Sequence, residues 1–168
     1  MFRALQARRY PDMHSNAQTT KEGSMNESVS PLPALGRFLL ALIFVRAGIN
    51  KLGTVATTSA YMTSHGIPYA NILVWGAIAL ELVGGLMLMT GFLTRLVSFL
   101  LFCYVLVLAV LFHHYWTMTG EAARTQGSSF FAHLAIMGGM VYVMAFGAGA
   151  YSIDALIRRR PAVPQPAT

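Results

Sequence analysis

The chain has 168 residues, of which 55% are hydrophobic and only 11% are charged, and its mean hydropathy is +0.55. Soluble domains usually carry about 25% charged residues, so this composition excludes a water-soluble domain, whose surface would need more charge. The net charge of +6 does not indicate a nucleic-acid partner, because the basic residues lie at chain ends and segment borders and are not interleaved with aromatics on one face.

Residues 1–33 form a polar segment of mixed charge that ends in Pro31 and Pro33, and they are predicted to be a disordered N-terminal tail. No apolar run follows its early arginines and no small-residue cleavage site is evident, so a signal peptide is not expected. Met25 offers a second start shortly before the first apolar run, which leaves open whether residues 1–24 are translated.

Four apolar runs follow, at residues 35–52, 69–91, 96–115 and 130–150. Each is close to the roughly 20 residues with which a helix crosses a bilayer. Buried helices of a soluble protein are the alternative, but four in succession would leave no polar face for water. We therefore predict an all-α, four-helix transmembrane bundle over residues 34–157, with longer loops at 53–68 and 116–129 and a basic, proline-rich tail at 158–168.

The orientation of this bundle is predicted from lysine and arginine residues, which favour the cytoplasmic side. One side carries only Lys51 and Arg124. Most of the basic residues lie on the side of the two termini: Arg3, Arg8, Arg9, Lys21, Arg37, Arg95, Arg158, Arg159 and Arg160. Both termini of this multi-pass protein are therefore expected in the cytoplasm.

Arg46 and Glu81 are charged residues within the first and second apolar runs. Each lies about eleven or twelve residues into its helix, so both fall near the centre of the bilayer. Isolated charges are costly there and normally pair or face the bundle interior, which predicts an Arg46–Glu81 ion pair. Three interpretations stay open: a structural pin, the polar floor of a pocket for a quinone head group or another small ligand, and a proton relay.

Neighbouring residues complete this candidate site. Asn50 lies one turn beyond Arg46 on the same face, where it can add a hydrogen bond. Gly84 and Gly85 share the face of Glu81 and are predicted to let another helix backbone come close. Lys51 lies nearer the outer surface and points roughly 140° away from Arg46 around the helix.

A second group of candidates lies at the outer ends of the helices. His113 and His114 close the third run and His133 opens the fourth, with His65 and Glu121 in the adjoining loops. Imidazoles with a carboxylate can bind a transition metal or haem. However, no tight ligand spacing such as HExxH is present, so an aromatic belt with interfacial histidines is the preferred interpretation and metal or haem is not expected.

Nucleophilic and dithiol chemistry have little support. Cys103 is the single cysteine and lies in an apolar run, so a disulfide within one chain, a CxxC pair and a thiolate cluster are excluded. No serine lies in a GxSxG motif, and the paired glycines lie inside helices rather than in phosphate-binding loops.

Several segments together resemble the DoxX family of small four-helix membrane proteins. They are residues 36–40 (GRFLL), 44–52 (FVRAGINKL), 66–68 (GIP), 81–85 (ELVGG), 91–95 (GFLTR) and 146–154 (FGAGAYSID). The family usually has a small residue where Arg46 stands, so a pairing of Glu81 with Lys51 is the rival to the Arg46 pair.

The resemblance implies a multi-pass protein of the bacterial inner membrane. It also implies an accessory subunit of a quinone-linked redox system, because the family is named after a subunit associated with a thiosulfate:quinone oxidoreductase. The family positions carried over to this chain are Lys51, Glu81, Gly84, Gly85, Arg95 and Asp154. Arg95 and Asp154 are expected to form an ion pair at the cytoplasmic face. The alternative is a non-enzymatic scaffold that anchors a soluble or membrane partner or handles a small solute. A homo-oligomer is compatible with either reading.

Overall fold

A computed structural model describes residues 30–158. Of the tail predicted at residues 1–33, residues 1–29 lie outside the described residues, whereas Leu32 and Pro33 begin the first helix. The question of residues 1–24 and the predicted tail from residue 159 onward also lie outside the described residues. Within residues 30–158 the chain is helical and contains no strand. The elements in chain order are α1 (Leu32–Gly53), α2 (Val55–Ser64), α3 (Ala70–Ala79), a π-helical turn (Leu80–Gly84), α4 (Gly85–Thr90), α5 (Thr94–Phe112), a 3-10 turn (Tyr115–Thr117), α6 (Gly120–Phe146) and α7 (Ile153–Arg158).

Within the described residues, four stretches are long and apolar enough to cross a membrane: Leu32–Gly53, Ala70–Thr90, Thr94–Thr117 and Gly120–Phe146. The second of them, here called the second span, joins α3, the π-helical turn and α4. The predicted all-α architecture with four membrane-spanning helices is therefore confirmed. The direction in which the bundle crosses the membrane stays a prediction.

Two segments predicted as loops are helical. Helix α6 begins at Gly120, ten residues before the predicted start, because residues 121–126 (EAARTQ) are polar but include good helix formers. Helix α2 lies in the predicted first loop, where its threonines and serines give little helical signal. Helix α2 packs against α3. Tyr61, near the C-terminal end of α2, stacks on Phe112 of α5 with ring centroids 5.4 Å apart.

The spans pack mainly as two antiparallel pairs, α1 with the second span and α5 with α6. Large apolar side chains cover much of the outer surface, as expected for contact with lipid. The buried core is formed by Ala41, Phe44, Leu88, Val97, Leu101, Val105, Met137, Met140 and Val143.

Small residues set the distance and register between α1 and the second span. A Cβ atom on Gly85 would lie 2.9 Å from Cγ2 and 3.2 Å from the backbone nitrogen of Val45, so only glycine fits without a shift. One on Gly48 would lie 2.7 Å from Cγ of Leu82 and 3.3 Å from Cβ of Glu81. Gly84, predicted to act with Gly85, instead faces Leu101 of α5.

The end of the bundle at which α1 and α5 begin and α4 and α6 end is called the terminal end. The buried Arg37 of α1 donates hydrogen bonds there to the carbonyl oxygens of Ala148 and Tyr151, the latter at 2.8 Å. The backbone nitrogen of Asp154 donates to the carbonyl of Gly91 at 2.9 Å. These bonds tie the segment after α6 to α1 and to the turn between α4 and α5.

The predicted Arg95–Asp154 ion pair is not formed. The Asp154 carboxylate instead accepts the backbone N–H groups of Leu93 and Thr94, each at 2.9 Å, and so caps the start of α5, while Arg95 donates to the carbonyl of Ala145 at 3.3 Å. Burial raises the pKa of Asp154, but the bonds from Thr94 and Leu93 and the charge of Arg158 outweigh burial, and the net pKa is lowered. The first N–H groups of a helix have no partner within that helix. Here these groups, and not the Arg95 side chain, bind the Asp154 carboxylate.

Candidate functional site: a buried lysine, glutamate and tyrosine cluster

Glu81 lies in the π-helical turn of the second span and is only 2% exposed. Such wide turns are rare and occur often at functional sites, because the extra residue changes which side chains face a neighbouring helix. A buried carboxylate in the membrane region needs partners that satisfy its charge and lone pairs. The residues around Glu81 are therefore the natural starting point for a functional site.

Two side chains from neighbouring helices satisfy this carboxylate. Nζ of Lys51, on α1, lies 2.7 Å from Oε1 and 2.9 Å from Oε2 of Glu81, and the Tyr104 hydroxyl, on α5, donates to Oε1 at 2.7 Å. This is the one ion pair within residues 30–158 whose atoms lie within 4.0 Å. The cluster therefore joins three of the four spans through a single carboxylate.

The predicted pairing of Glu81 with Arg46 is wrong, and its rival, Lys51, holds the carboxylate. The partner of Glu81 is decided by the face of α1 on which a residue lies, and not by its depth in the membrane. Gly48 marks the side of α1 that lies against Glu81, and Lys51 follows it by three residues, which returns to nearly the same face. Arg46 precedes Gly48 by two residues and so points about 200° away. Asn50 follows Gly48 by two residues and points the same way as Arg46. The side chains of Arg46 and Asn50 are therefore exposed on the side of α1 that faces away from Glu81.

The cluster has a defined hydrogen-bonding capacity beyond its internal bonds. A lysine ammonium carries three N–H donors, and the contacts to Oε1 and Oε2 engage two of them. The Lys51 side chain is 24% exposed, whereas that of Glu81 is 3% exposed. Lys51 is therefore the member of the cluster that a small molecule can reach from outside the helix bundle.

Tyr104 was missed by the sequence analysis, which treated the third run as uniformly apolar. The available signal was a tyrosine in the middle of that run, because a tyrosine away from the interface usually finds a partner for its hydroxyl. Arg37 was counted only as a border charge, although it is 3% exposed and binds two carbonyl groups.

The histidines form a pair rather than a three-residue cluster. His113 and His133 have ring centroids 4.7 Å apart, and their Nδ1 atoms contact Oε1 of Gln126 at 2.6 Å and the Ser129 carbonyl at 2.7 Å. His114 lies instead near Trp116, with ring centroids 6.4 Å apart. The described part of the chain contains no group of three or more His, Cys, Asp or Glu residues that could hold a metal ion.

An open cavity of 440 Å³ lies at the terminal end, away from Glu81. It is bordered by the turn before α5, the end of α6 and α7, and its charged lining residues are Arg95, Asp154 and Arg158. Asp154 already uses its carboxylate to cap α5. The hypothesis of a pocket floored by Glu81 therefore depends on the polar cluster and not on this cavity.

Four apolar spans with a charged cluster between them define the chain as a multi-pass α-helical membrane protein. It belongs to the DoxX family, because the model of that family matches residues 32–114 and curated relatives match over most of the chain. The sequence-based resemblance to this family is thus confirmed. The matched region includes Lys51, Glu81 and Tyr104.

Two relatives come from Escherichia coli (strain K12). The inner membrane protein YphA is 32% identical over 120 residues, which cover 71% of this chain and 86% of YphA. The inner membrane protein YqjF is 33% identical over 126 residues, which cover 75% of this chain and 92% of YqjF. No solved structure matches the chain significantly. With four apolar spans, these relatives identify a multi-pass protein of the bacterial inner membrane.

Proposed function

We propose that this chain is an accessory subunit of a quinone-linked redox system of the inner membrane, and that the Lys51–Glu81–Tyr104 cluster binds the quinone head group. The observation that carries the proposal is the partly exposed Lys51, held by a buried carboxylate and left with one N–H donor for a ligand. Quinones dissolve in the same apolar phase that surrounds the spans. A ligand arriving through the membrane therefore meets Lys51 before it meets Glu81.

The chemistry of a quinone fits this donor. A quinone carbonyl oxygen accepts hydrogen bonds, and Lys51 supplies a charged donor, which makes a stronger bond than a neutral one. Reduction to the quinol requires two electrons and two protons. The electrons would come from a redox partner subunit and the two protons from water, while Lys51 would stabilise the oxygen on which negative charge develops. Glu81 and Tyr104 act as positioning residues, because they hold the ammonium group in place.

This proposal predicts that Tyr104→Phe weakens quinone binding. Loss of the hydroxyl frees one oxygen of Glu81 and so loosens the position of Lys51, and we expect an affinity lower by about fivefold or more. The measurement is an equilibrium titration of the purified protein in lipid nanodiscs with a short-chain ubiquinone analogue.

Tyr142→Phe is the matched control, because Tyr142 is 61% exposed on α6 and lies outside the cluster. It should bind the analogue as the unmodified protein does. Equal affinities of the Tyr104→Phe and Tyr142→Phe variants would contradict the proposal.

We also propose that both termini face the cytoplasm. Among the described residues, Arg37, Arg95 and Arg158 belong to the terminal end, whereas Arg124 belongs to the opposite end. Green fluorescent protein fused after Thr168 should then fluoresce, and alkaline phosphatase fused there should be inactive. An active phosphatase fusion together with a non-fluorescent green fluorescent protein fusion would show that the C-terminus faces the periplasm, which would contradict this proposal.

A further inference from the structure

Helix α1 carries a charged residue on the side that faces away from the bundle. Arg46 is exposed there among apolar side chains, with Leu42 41%, Ile43 45% and Ile49 57% exposed, and Asn50 is exposed one turn further along. These five residues are here called the Arg46 face. Its apolar members suit a membrane environment, but its two polar members do not.

The Arg46 face lies far from either end of the bundle along the membrane-spanning length of α1. Arg37, at the terminal end, is nine residues before Arg46, which places Arg46 about 13 Å further along the helix axis. Gly48, two residues beyond Arg46, lies against Glu81. An isolated charge at this depth is costly, and membrane proteins normally pair such a residue or face it to a protein interior.

The described residues, 30–158, offer Arg46 no free carboxylate. Within this part of the chain Arg46 makes no hydrogen bond or ion pair. Of the six acidic residues, Glu81 is held by Lys51 and Tyr104, Asp154 caps α5 and Glu121 lies in the first turn of α6. The other three are Asp12, Glu22 and Glu27, which precede the first span.

A second copy of the chain cannot supply the missing charge either. It would bring the same engaged Glu81, and a symmetric contact through the Arg46 face would place one arginine opposite the other. Like charges opposed at an interface are costly. The described carboxylates of this chain and of a second copy are thus engaged or remote, and the geometry favours a counter-charge on another molecule.

We propose that the Arg46 face docks a membrane-spanning helix of a different protein, and that this helix carries an aspartate or glutamate at the depth of Arg46. A phospholipid phosphate is the other anion available. However, helical side chains lean toward the helix N-terminus, so a phosphate bound by Arg46 would lie on the terminal side. Asn50, one turn further from that end, would stay unsatisfied in lipid. A helix lying along α1 can satisfy both residues, since asparagine also bonds across helix interfaces.

This inference deepens the proposed accessory role and rests on it in requiring a partner subunit, but it uses none of the residues of the Lys51 cluster. Its test is carried out in intact membranes of the native host. A photo-reactive amino acid replaces Ile49, on the Arg46 face, and in a matched control it replaces Tyr142 of α6. Each of these two labelled proteins is also made with Arg46→Leu and with Arg46→Lys. The cross-linked adducts are identified by peptide mass spectrometry.

The expected result is an adduct from position 49, absent from position 142, with a membrane span of another protein that contains a carboxylate. The yield of this adduct should fall at least fivefold with Arg46→Leu and by less with Arg46→Lys, when the variants accumulate to the same amount in the membrane. Exchange of the two charges between the chains should restore it. Adducts only with a second copy or with lipid, an adduct insensitive to Arg46→Leu, or no adduct would each overturn the inference. Failure of quinone binding in nanodiscs would leave this result unaffected.

Discussion

Replacing Lys51 with methionine should strongly destabilise the protein and lower its amount in the membrane. The change leaves the Glu81 carboxylate buried with only the Tyr104 hydroxyl as a partner. Removal of one member of a buried ion pair costs about 3–5 kcal/mol in the free energy of unfolding. Thermal unfolding in detergent and the amount of protein in isolated membranes measure the effect.

The double variant Lys51→Met/Glu81→Met is the control that shows whether the loss comes from the unpaired charge. Apolar residues of similar volume often replace a buried pair with little or no loss of stability, so the double variant should recover most of the loss. What remains should reflect the Tyr104 hydroxyl, which loses its acceptor. The two changes would then be strongly non-additive, as expected for residues in direct contact. Additive losses would show that Lys51 and Glu81 do not act as a pair.

Gly91→Ala should produce the second large loss of stability. Gly91 has a φ of +73°, and an added Cβ would lie 2.5 Å from Cβ of Ser152 and 2.9 Å from Cζ of Arg37. The left-handed backbone costs a side chain about 1–2 kcal/mol, and overpacking adds about 1–3 kcal/mol. The variant should therefore unfold at a lower temperature and yield less protein in the membrane.

Gly36→Ala is the matched control for this variant. It also lies toward the terminal end, but a Cβ there meets nothing within 4 Å and no left-handed backbone is required. It should be neutral or slightly stabilising, because alanine favours a helix more than glycine does. Equal unfolding temperatures of the Gly91→Ala and Gly36→Ala variants would contradict the close packing described around Gly91.

The spans were predictable because a bilayer imposes a length and an apolar character that the sequence shows directly. The parts of the fold that lacked this signal were missed. Helix α2 and the first turns of α6 are polar, so hydropathy assigned them to loops, whereas packing on α3 stabilises α2 and good helix formers extend α6.

The site was only partly predictable for a related reason. A carboxylate in an apolar run identifies Glu81, but its partner depends on which face of α1 meets the second span. Hydropathy does not decide this face, because α1 carries Arg46 and Asn50 on one side and Lys51 on the other. The contact of Gly48 with Glu81 decides the face, selecting Lys51 and excluding Arg46. That contact depends on the packing of two helices, which one sequence did not reveal.

The most direct test of the central claim is the quinone affinity of the Lys51→Met/Glu81→Met variant in lipid nanodiscs. This variant should keep the fold while losing the charged donor, so a stability defect cannot explain the outcome. The double variant should bind the short-chain quinone analogue at least tenfold more weakly than the Tyr142→Phe variant does. A double variant that is folded and binds the analogue with unchanged affinity would contradict the account, and would leave the Lys51–Glu81 pair as a purely structural link between helices.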